Sequence, residues 1–192
     1  MGYALIIPPA SEPVSLDEAK IQCRVDGTEQ DDYFTARIKA AREKVESLSG
    51  RSLITQTWRA DFGCFPCRGQ PLRLAHSPVQ SVVSVYYYDD QGVNTLLDPS
   101  IYKLEKTGQQ GRLWLAPDQD WPSIQPQFDA VRITYLAGYG DEAAVPEVAR
   151  LAMLQMIEHW YDNRGVMAGG PISEIPLAAT ALIGELTVRS LA

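Results

Sequence analysis

Val82-Val83-Ser84-Val85-Tyr86-Tyr87-Tyr88, followed by Asp89-Asp90-Gln91-Gly92 and then Val93-Asn94-Thr95-Leu96-Leu97, decides the fold class. The first segment is β-branched and aromatic, the second is made of turn formers, and the third returns to apolar residues. That order predicts a β-hairpin. Working backwards, Ile54 to Phe62 has period two. Ile54, Gln56, Trp58, Ala60 and Phe62 share one face, and Thr55, Thr57, Arg59 and Asp61 share the other. Working forwards, Tyr102–Glu105, Arg112–Leu115 and Ala130–Leu136 read as further strands, punctuated by Gly108, Gly111, Pro117, Pro122 and Pro126. Residues 54–138 are therefore expected to form a mainly antiparallel β module.

Helical signals flank this block on both sides. Residues 1–14 look extended, because Pro8, Pro9 and Pro13 keep the backbone out of helix. Ser15-Leu16-Asp17-Glu18 is a capping box that opens a short helix with Leu16, Ala19 and Cys23 on one face. Asp26-Gly27-Thr28 breaks it. A second helix starts near Asp31-Asp32, where carboxylates suit the positive end of the helix dipole. Phe34, Ile38, Ala41, Val45 and Leu48 make its apolar stripe, and Gly50 is its natural stop. The short break between the two predicts a helical hairpin. Helix resumes at Val145-Pro146, and Val148 to Tyr161 is apolar almost all round, which predicts cover on most sides. Gly165 to Pro171 reads as a mobile loop, and a last helix is expected from Pro176 to about Arg189. The expected fold is α+β: a helical body from residues 1–53 and 139–192, with residues 54–138 inserted as the β module.

Composition narrows the function. The chain has 192 residues, 45% hydrophobic, enough to bury a core without staples. Its net charge of −7 argues against holding nucleic acid by phosphate neutralisation. The acid concentrates after residue 138, where seven carboxylates face three arginines. Three cysteines form no even framework, no signal-like segment precedes them, and no apolar run approaches the ~20 residues of a membrane span. The expected setting is reducing and soluble.

Candidate chemistry is thin. Cys64-Phe65-Pro66-Cys67 is a CxxC and raises a dithiol oxidoreductase as a rival reading. Such sites place the first thiol at a helix N-terminus, and no helical pattern opens here. A structural zinc needs four ligands; beside the one CxxC the remaining candidates, Cys23, His76 and His159, stand at distant positions, and the sequence has no second CxxC or HxxxH. His159, beside Trp160 and Tyr161, reads as a structural histidine. Asp31-Asp32 and Asp89-Asp90 already have roles at a helix start and a turn. Tyr86-Tyr87-Tyr88 has acidic rather than basic companions, so it reads as core or interface rather than as a stacking platform for bases. No catalytic group, cofactor or metal is expected. A monomeric binding module is the remaining rival.

The order of several segments resembles a known family. Pro13-Val14-Ser15-Leu16-Asp17-Glu18-Ala19-Lys20, Arg24-Val25-Asp26, Ala40-Ala41-Arg42, Gly50-Arg51-Ser52-Leu53 and Thr55-Gln56-Thr57-Trp58 come first. Phe65-Pro66, Pro78-Val79-Gln80-Ser81-Val82, Ala137-Gly138-Tyr139-Gly140, Val145-Pro146 and His159-Trp160-Tyr161 with Arg164 follow. Together they resemble the head–tail connector (adaptor) proteins of tailed phages and prophages. Cys64, Cys67, the Gly165–Pro171 loop and the tail after Leu186 do not match that pattern. The resemblance implies a non-enzymatic virion protein, placed in the head–tail neck after assembly in the host cytoplasm. It implies a homo-oligomeric ring, commonly dodecameric, docked under the portal protein and linked to the next neck or tail-completion protein. DNA would pass through without specific binding. On that reading Leu151, Leu154, Ile157, Trp160 and Tyr161 are the candidate oligomer and portal interface. Asp162, Glu174 and Glu185 are the candidate channel lining.

Overall fold

The computed structural model describes residues 2–107, 109–125, 127–164 and 175–188. The fold is α+β, and the chain divides into two compact units. One comprises residues 1–10 and 55–139, the other residues 11–54 and 140–192.

The first unit is built from strands β1 (Gly2–Ile7), β2 (Gln56–Phe62), β3 (Leu72–Leu74), β4 (Val79–Tyr88), β5 (Asn94–Leu96), β6 (Tyr102–Glu105), β7 (Gly111–Leu115) and β8 (Val131–Ala137). Five form an antiparallel sheet in the order β1-β2-β8-β4-β5, and three form a smaller sheet in the order β3-β7-β6. β8 shows why the sheet forms. Val131, Ile133, Tyr135 and Ala137 are buried while Arg132, Thr134 and Leu136 are only half-buried, the alternation a one-sided core demands. These inward residues meet Ala60, Phe62, Val85 and Leu97 of the same sheet side and Leu72, Leu74 and Leu113 of the small sheet in one core. The Tyr135 hydroxyl stays satisfied by donating to the Ala75 carbonyl at 3.0 Å. Gly111 is required by packing, since a Cβ there would lie 2.4 Å from a Val79 methyl.

Two expectations change here. Residues 2–7 were expected outside the β module, but they form β1 and pair along β2, from Gly2 opposite Asp61 to Ile7 opposite Thr57. A strand contributed from some fifty residues upstream leaves no local signal. Ile54 is not part of β2; it belongs to the second unit and bridges to Gly140 of that same unit. The second face of β2 is also less open than its polar pattern implies. Thr57 and Asp61 are both buried, and Asp61 lies between Arg59 at 3.2 Å and Arg132 at 3.7 Å.

The second unit holds helices α1 (Leu16–Gln22), α2 (Asp31–Ser49), α3 (Glu147–Asp162) and α4 (Leu177–Leu186). The capping box is formed: the Glu18 amide donates to the Ser15 hydroxyl at 3.2 Å, and the Ser15 amide donates to the Glu18 carboxylate at 2.8 Å. Arg150 of α3 donates to the same carboxylate, so the cap also ties α1 to α3. Lys20 of α1 pairs with Asp31 at 2.7 Å and closes the α1–α2 hairpin. Gly50 ends α2 with φ 69°, a left-handed conformation that glycine adopts without strain. Phe34, Ile38, Ala41 and Val45 are buried as the stripe predicts, but Leu48 is 42% exposed and Ser49 is buried beyond it.

α3 is amphipathic rather than apolar all round. Ala149, Ala152, Met153, Met156, Ile157 and Trp160 form its buried face, while Leu151 stands 46% exposed. α4 ends at Leu186, three residues before the expected end. Thr187 turns to extended geometry and the Val188 amide donates to the Ser49 carbonyl at 2.9 Å instead of continuing the helix. The Gly165–Pro171 loop lies outside the described residues.

Candidate assembly surfaces

In the helical unit, aromatic and arginine side chains cluster where α3 ends. Tyr33 and Arg37, one turn apart on α2, meet Trp160, Tyr161 and Arg164 from the end of α3. The Tyr33 hydroxyl donates to the Trp160 carbonyl at 3.2 Å. Tyr161 stacks on Phe34 with centroids 5.3 Å apart. The Arg164 guanidinium lies 3.8 Å over the Tyr161 ring, and that of Arg37 lies 4.9 Å over Tyr33. Arg164 also donates to the Gln30 side chain at 2.9 Å and to the Tyr161 carbonyl at 3.0 Å. Cation–π contacts of this kind hold planar groups in register and contribute about 0.5–2 kcal/mol each. The cluster ties the last turn of α3 to the start of α2. Sequence reasoning missed Tyr33 and Arg37 as members. Their i,i+4 spacing was legible, but the partner helix lies 127 residues away.

The five predicted interface residues separate into different environments. Leu151 is exposed and Leu154 is half-buried, so both can meet a partner. Ile157 is fully buried and Trp160 is 6% exposed; both belong to the chain's own core and are corrected out of the interface. Their position on the face shared with Ala149, Met153 and Met156 is the physical reason. Tyr161 is half-buried in the aromatic cluster. Of the predicted channel residues, Asp162 and Glu185 are exposed, and Glu174 lies outside the described residues. Other exposed apolar groups in this unit are Leu177 at 89%, Ile21 at 76% and Leu48 at 42%.

In the β unit both margins of the large sheet carry exposed apolar groups, as do Val83 on inner strand β4 at 59% and Phe128 outside the strands at 74%. Leu5, Ile6 and Ile7 lie on β1, one outer strand, and Leu96 with neighbouring Val93 marks β5, the other. Of the tyrosine run, Tyr87 packs against the core and meets Phe65, which stacks on Trp121 with centroids 4.6 Å apart. His76 stacks face to face on Trp58 at 3.5 Å, and burial lowers its pKa.

Cys64 and Cys67 are exposed free thiols in the loop between β2 and β3, where no helix begins. The Cys23 thiol is pushed up to about 11 by burial and by Glu158 and Asp162, which keeps it protonated. Among the described residues, no group of three or more His, Cys, Asp and Glu could hold a metal ion, and no helix is long and apolar enough to cross a membrane. His159 lies half-buried with Asn163 at 3.3 Å from its Nδ1.

The capping box at Ser15, the α1–α2 hairpin, the Gly50 stop and strands β2 to β4 form one continuous stretch, and that stretch has known relatives. Residues 13–93 match the phage gp6-like head–tail connector family. A search of curated proteins finds no match. Among solved structures, a chain of the neck of an empty GTA particle, computed with C6 symmetry, has a similar fold, with a TM-score of 0.80 at 22% identity. The similarity covers 100% of this chain and 98% of that one. A chain in the virion of a native gene transfer agent (GTA) particle is similar with a TM-score of 0.79, again at 22% identity over 100% and 98%. A chain of the native GTA neck computed with C12 symmetry is similar with a TM-score of 0.73 at the same identity and coverage. The connector match stops near the end of the β4–β5 turn, whereas the fold similarity continues through α3 and α4.

Proposed function

We propose that this protein is the head–tail connector (adaptor) of a tailed phage or prophage particle. It is a non-enzymatic subunit that forms a ring beneath the portal, joins head to tail and lets DNA pass. The observation that carries this reading is the end-to-end fold similarity to neck chains, with residues 13–93 matching the connector family independently. Six-fold and twelve-fold symmetry in the similar neck structures are both compatible with twelve copies, which supports a dodecamer here.

Within that role, Leu151, Leu154 and Leu177 are among the apolar groups of the helical unit available to a neighbour or to the portal. Asp162 and Glu185 face solvent and line the channel in this proposal. Carboxylates there leave passing phosphates unheld, because each wall Lys or Arg would add a salt-sensitive contact. Electron microscopy of the purified protein, alone and mixed with portal rings from the same genome, tests the proposal. Twelve-fold rings seated on the portal are expected. A chain that stays monomeric and unbound at high portal concentration would overturn it.

A further inference from the structure

We propose that copies of this chain join in the ring through the two margins of the five-stranded sheet, β1 of one copy lying along β5 of the next. This rests on the ring reading above and names its contact. A cyclic head-to-tail ring needs two different surfaces on each subunit that fit each other. The sheet order β1-β2-β8-β4-β5 supplies a pair, since among the described residues each outer strand has a strand partner on one side.

Three observations favour these margins. First, both carry exposed aliphatic groups: Leu5 at 43%, Ile6 at 47% and Ile7 at 58% on β1, and Leu96 at 56% and Val93 at 54% at β5. Second, neither is guarded by charge. Residues 1–10 contain no Asp, Glu, Lys or Arg, and neither do Val93 to Leu97, in a chain where such residues make up 21%. Free edges in soluble proteins are commonly blunted by charged side chains, so an uncharged aliphatic edge marks a strand that pairs. The irregularity between Leu5 and Ile7 and the prolines at 8 and 9 confine that pairing to a short stretch. Third, the directions agree. Successive antiparallel pairings make β1, β8 and β5 run the same way. Head-to-tail repetition then lays β1 parallel to the neighbour's β5 and continues the sheet. With only three residues in β5, one such contact is smaller than the ~800 Å² per partner of a stable pair. Isolated copies therefore separate, and closure of the ring, which holds every copy twice, stabilises the contact.

The test is disulfide trapping. Cys23→Ala, Cys64→Ser and Cys67→Ser remove the native thiols, and Ile6→Cys with Leu96→Cys places one thiol on each margin. Four strand spacings of about 4.8 Å separate β1 from β5 within one chain, far beyond disulfide reach, so any bond formed joins two copies. Mild oxidation of portal-bound rings is expected to give a ladder of covalent oligomers on a non-reducing gel. Each single-cysteine variant is expected to give none. Separately, Ile6→Lys with Ile7→Lys should abolish rings while leaving the thermal midpoint within about 2 °C, because both side chains are exposed. Rings visible by microscopy with no ladder, or dimers from the Ile6→Cys variant alone, would overturn the edge contact and leave the connector reading standing. Absence of rings from the native protein with portal would overturn the reading beneath it and the contact together.

Discussion

Arg42→Ala should unfasten the helical unit, and its cost can be worked from the structure. The Arg42 side chain is 6% exposed and pairs with Glu12 at 2.7 Å and Glu46 at 2.9 Å. Burial opposes its charge, yet the two carboxylates outweigh that and raise its pKa above the ordinary value. Glu46 has a second duty: its other oxygen accepts from the Leu53 amide at 2.8 Å, fixing the chain just after the Gly50 stop. Removing one partner of a buried pair costs about 3–5 kcal/mol, mostly from the charge left behind. Glu12 is 31% exposed and Glu46 keeps the Leu53 amide, so the lower end applies, about 3 kcal/mol. For a chain of this size that corresponds to a fall of about 6–12 °C in thermal midpoint. Because the chain has two compact units, the sharper assay is native-state hydrogen exchange, with slow amides of α2 losing about 3 kcal/mol of protection. Arg42→Met combined with Glu12→Gln and Glu46→Gln should lose less than Arg42→Ala, since no buried charge then remains unpaired. A loss under about 1 kcal/mol for Arg42→Ala, or a larger loss for the triple variant, would refute this account.

Four further outcomes are expected. Leu151→Asp should keep the fold and lose portal docking, whereas Ile157→Asp should unfold the helical unit, because the first residue is exposed and the second fully buried; circular dichroism and a portal pull-down separate the two. Glu18 is held below the usual carboxylate range chiefly by the Ser15 amide and also by Arg150, so its contribution is present above about pH 4.3 and lost as pH falls through the lowered value. Glu18→Gln should therefore lower stability by about 1 kcal/mol at pH 7 and have little effect at pH 3 in urea melts. Burial lowers the His76 pKa, so its contribution is complete above about pH 6.5 and declines as pH falls through the folded value; His76→Asn should flatten the stability of the β unit between pH 7 and 5. Cys64→Ser with Cys67→Ser should leave ring formation and particle assembly intact, and loss of infectious particles with folding unchanged would revive a role for those thiols.

Where local chemistry decides structure, the residues themselves were enough. Ser15 and Glu18 cap α1 because a hydroxyl and a carboxylate three residues apart satisfy each other's amides. Gly50 stops α2 because the turn needs a left-handed residue. β8 forms because Val131, Ile133, Tyr135 and Ala137 alternate with more polar neighbours. β3 was not legible, since Leu72-Arg73-Leu74 is too short to show a period and is defined by its pairing with β7. The same limit applied to the candidate surface. Hydrophobic pattern put Ile157 and Trp160 beside Leu151 and Leu154, but it cannot say which side of a largely apolar helix its own unit covers.

That last distinction is where fold and function meet in this chain. A helix with one buried face and one exposed leucine is anchored at home and still has a contact to offer, and the two demands fall on different residues of the same sixteen-residue element. The sheet obeys the same logic. Ile133 and Tyr135 of central β8 are wholly buried and commit the sheet to its core, while Leu5 to Ile7 and Leu96 on the outer strands remain exposed. Burying those margins in a neighbour would release apolar surface from water at roughly 25 cal/mol per Å² without disturbing the core that holds the strands. An assembly subunit can fold before it meets its partners only if its core and contact residues are separate sets. The residues that stabilise each unit here, such as Arg42, Ile157 and Tyr135, are buried, and those proposed to join copies are exposed.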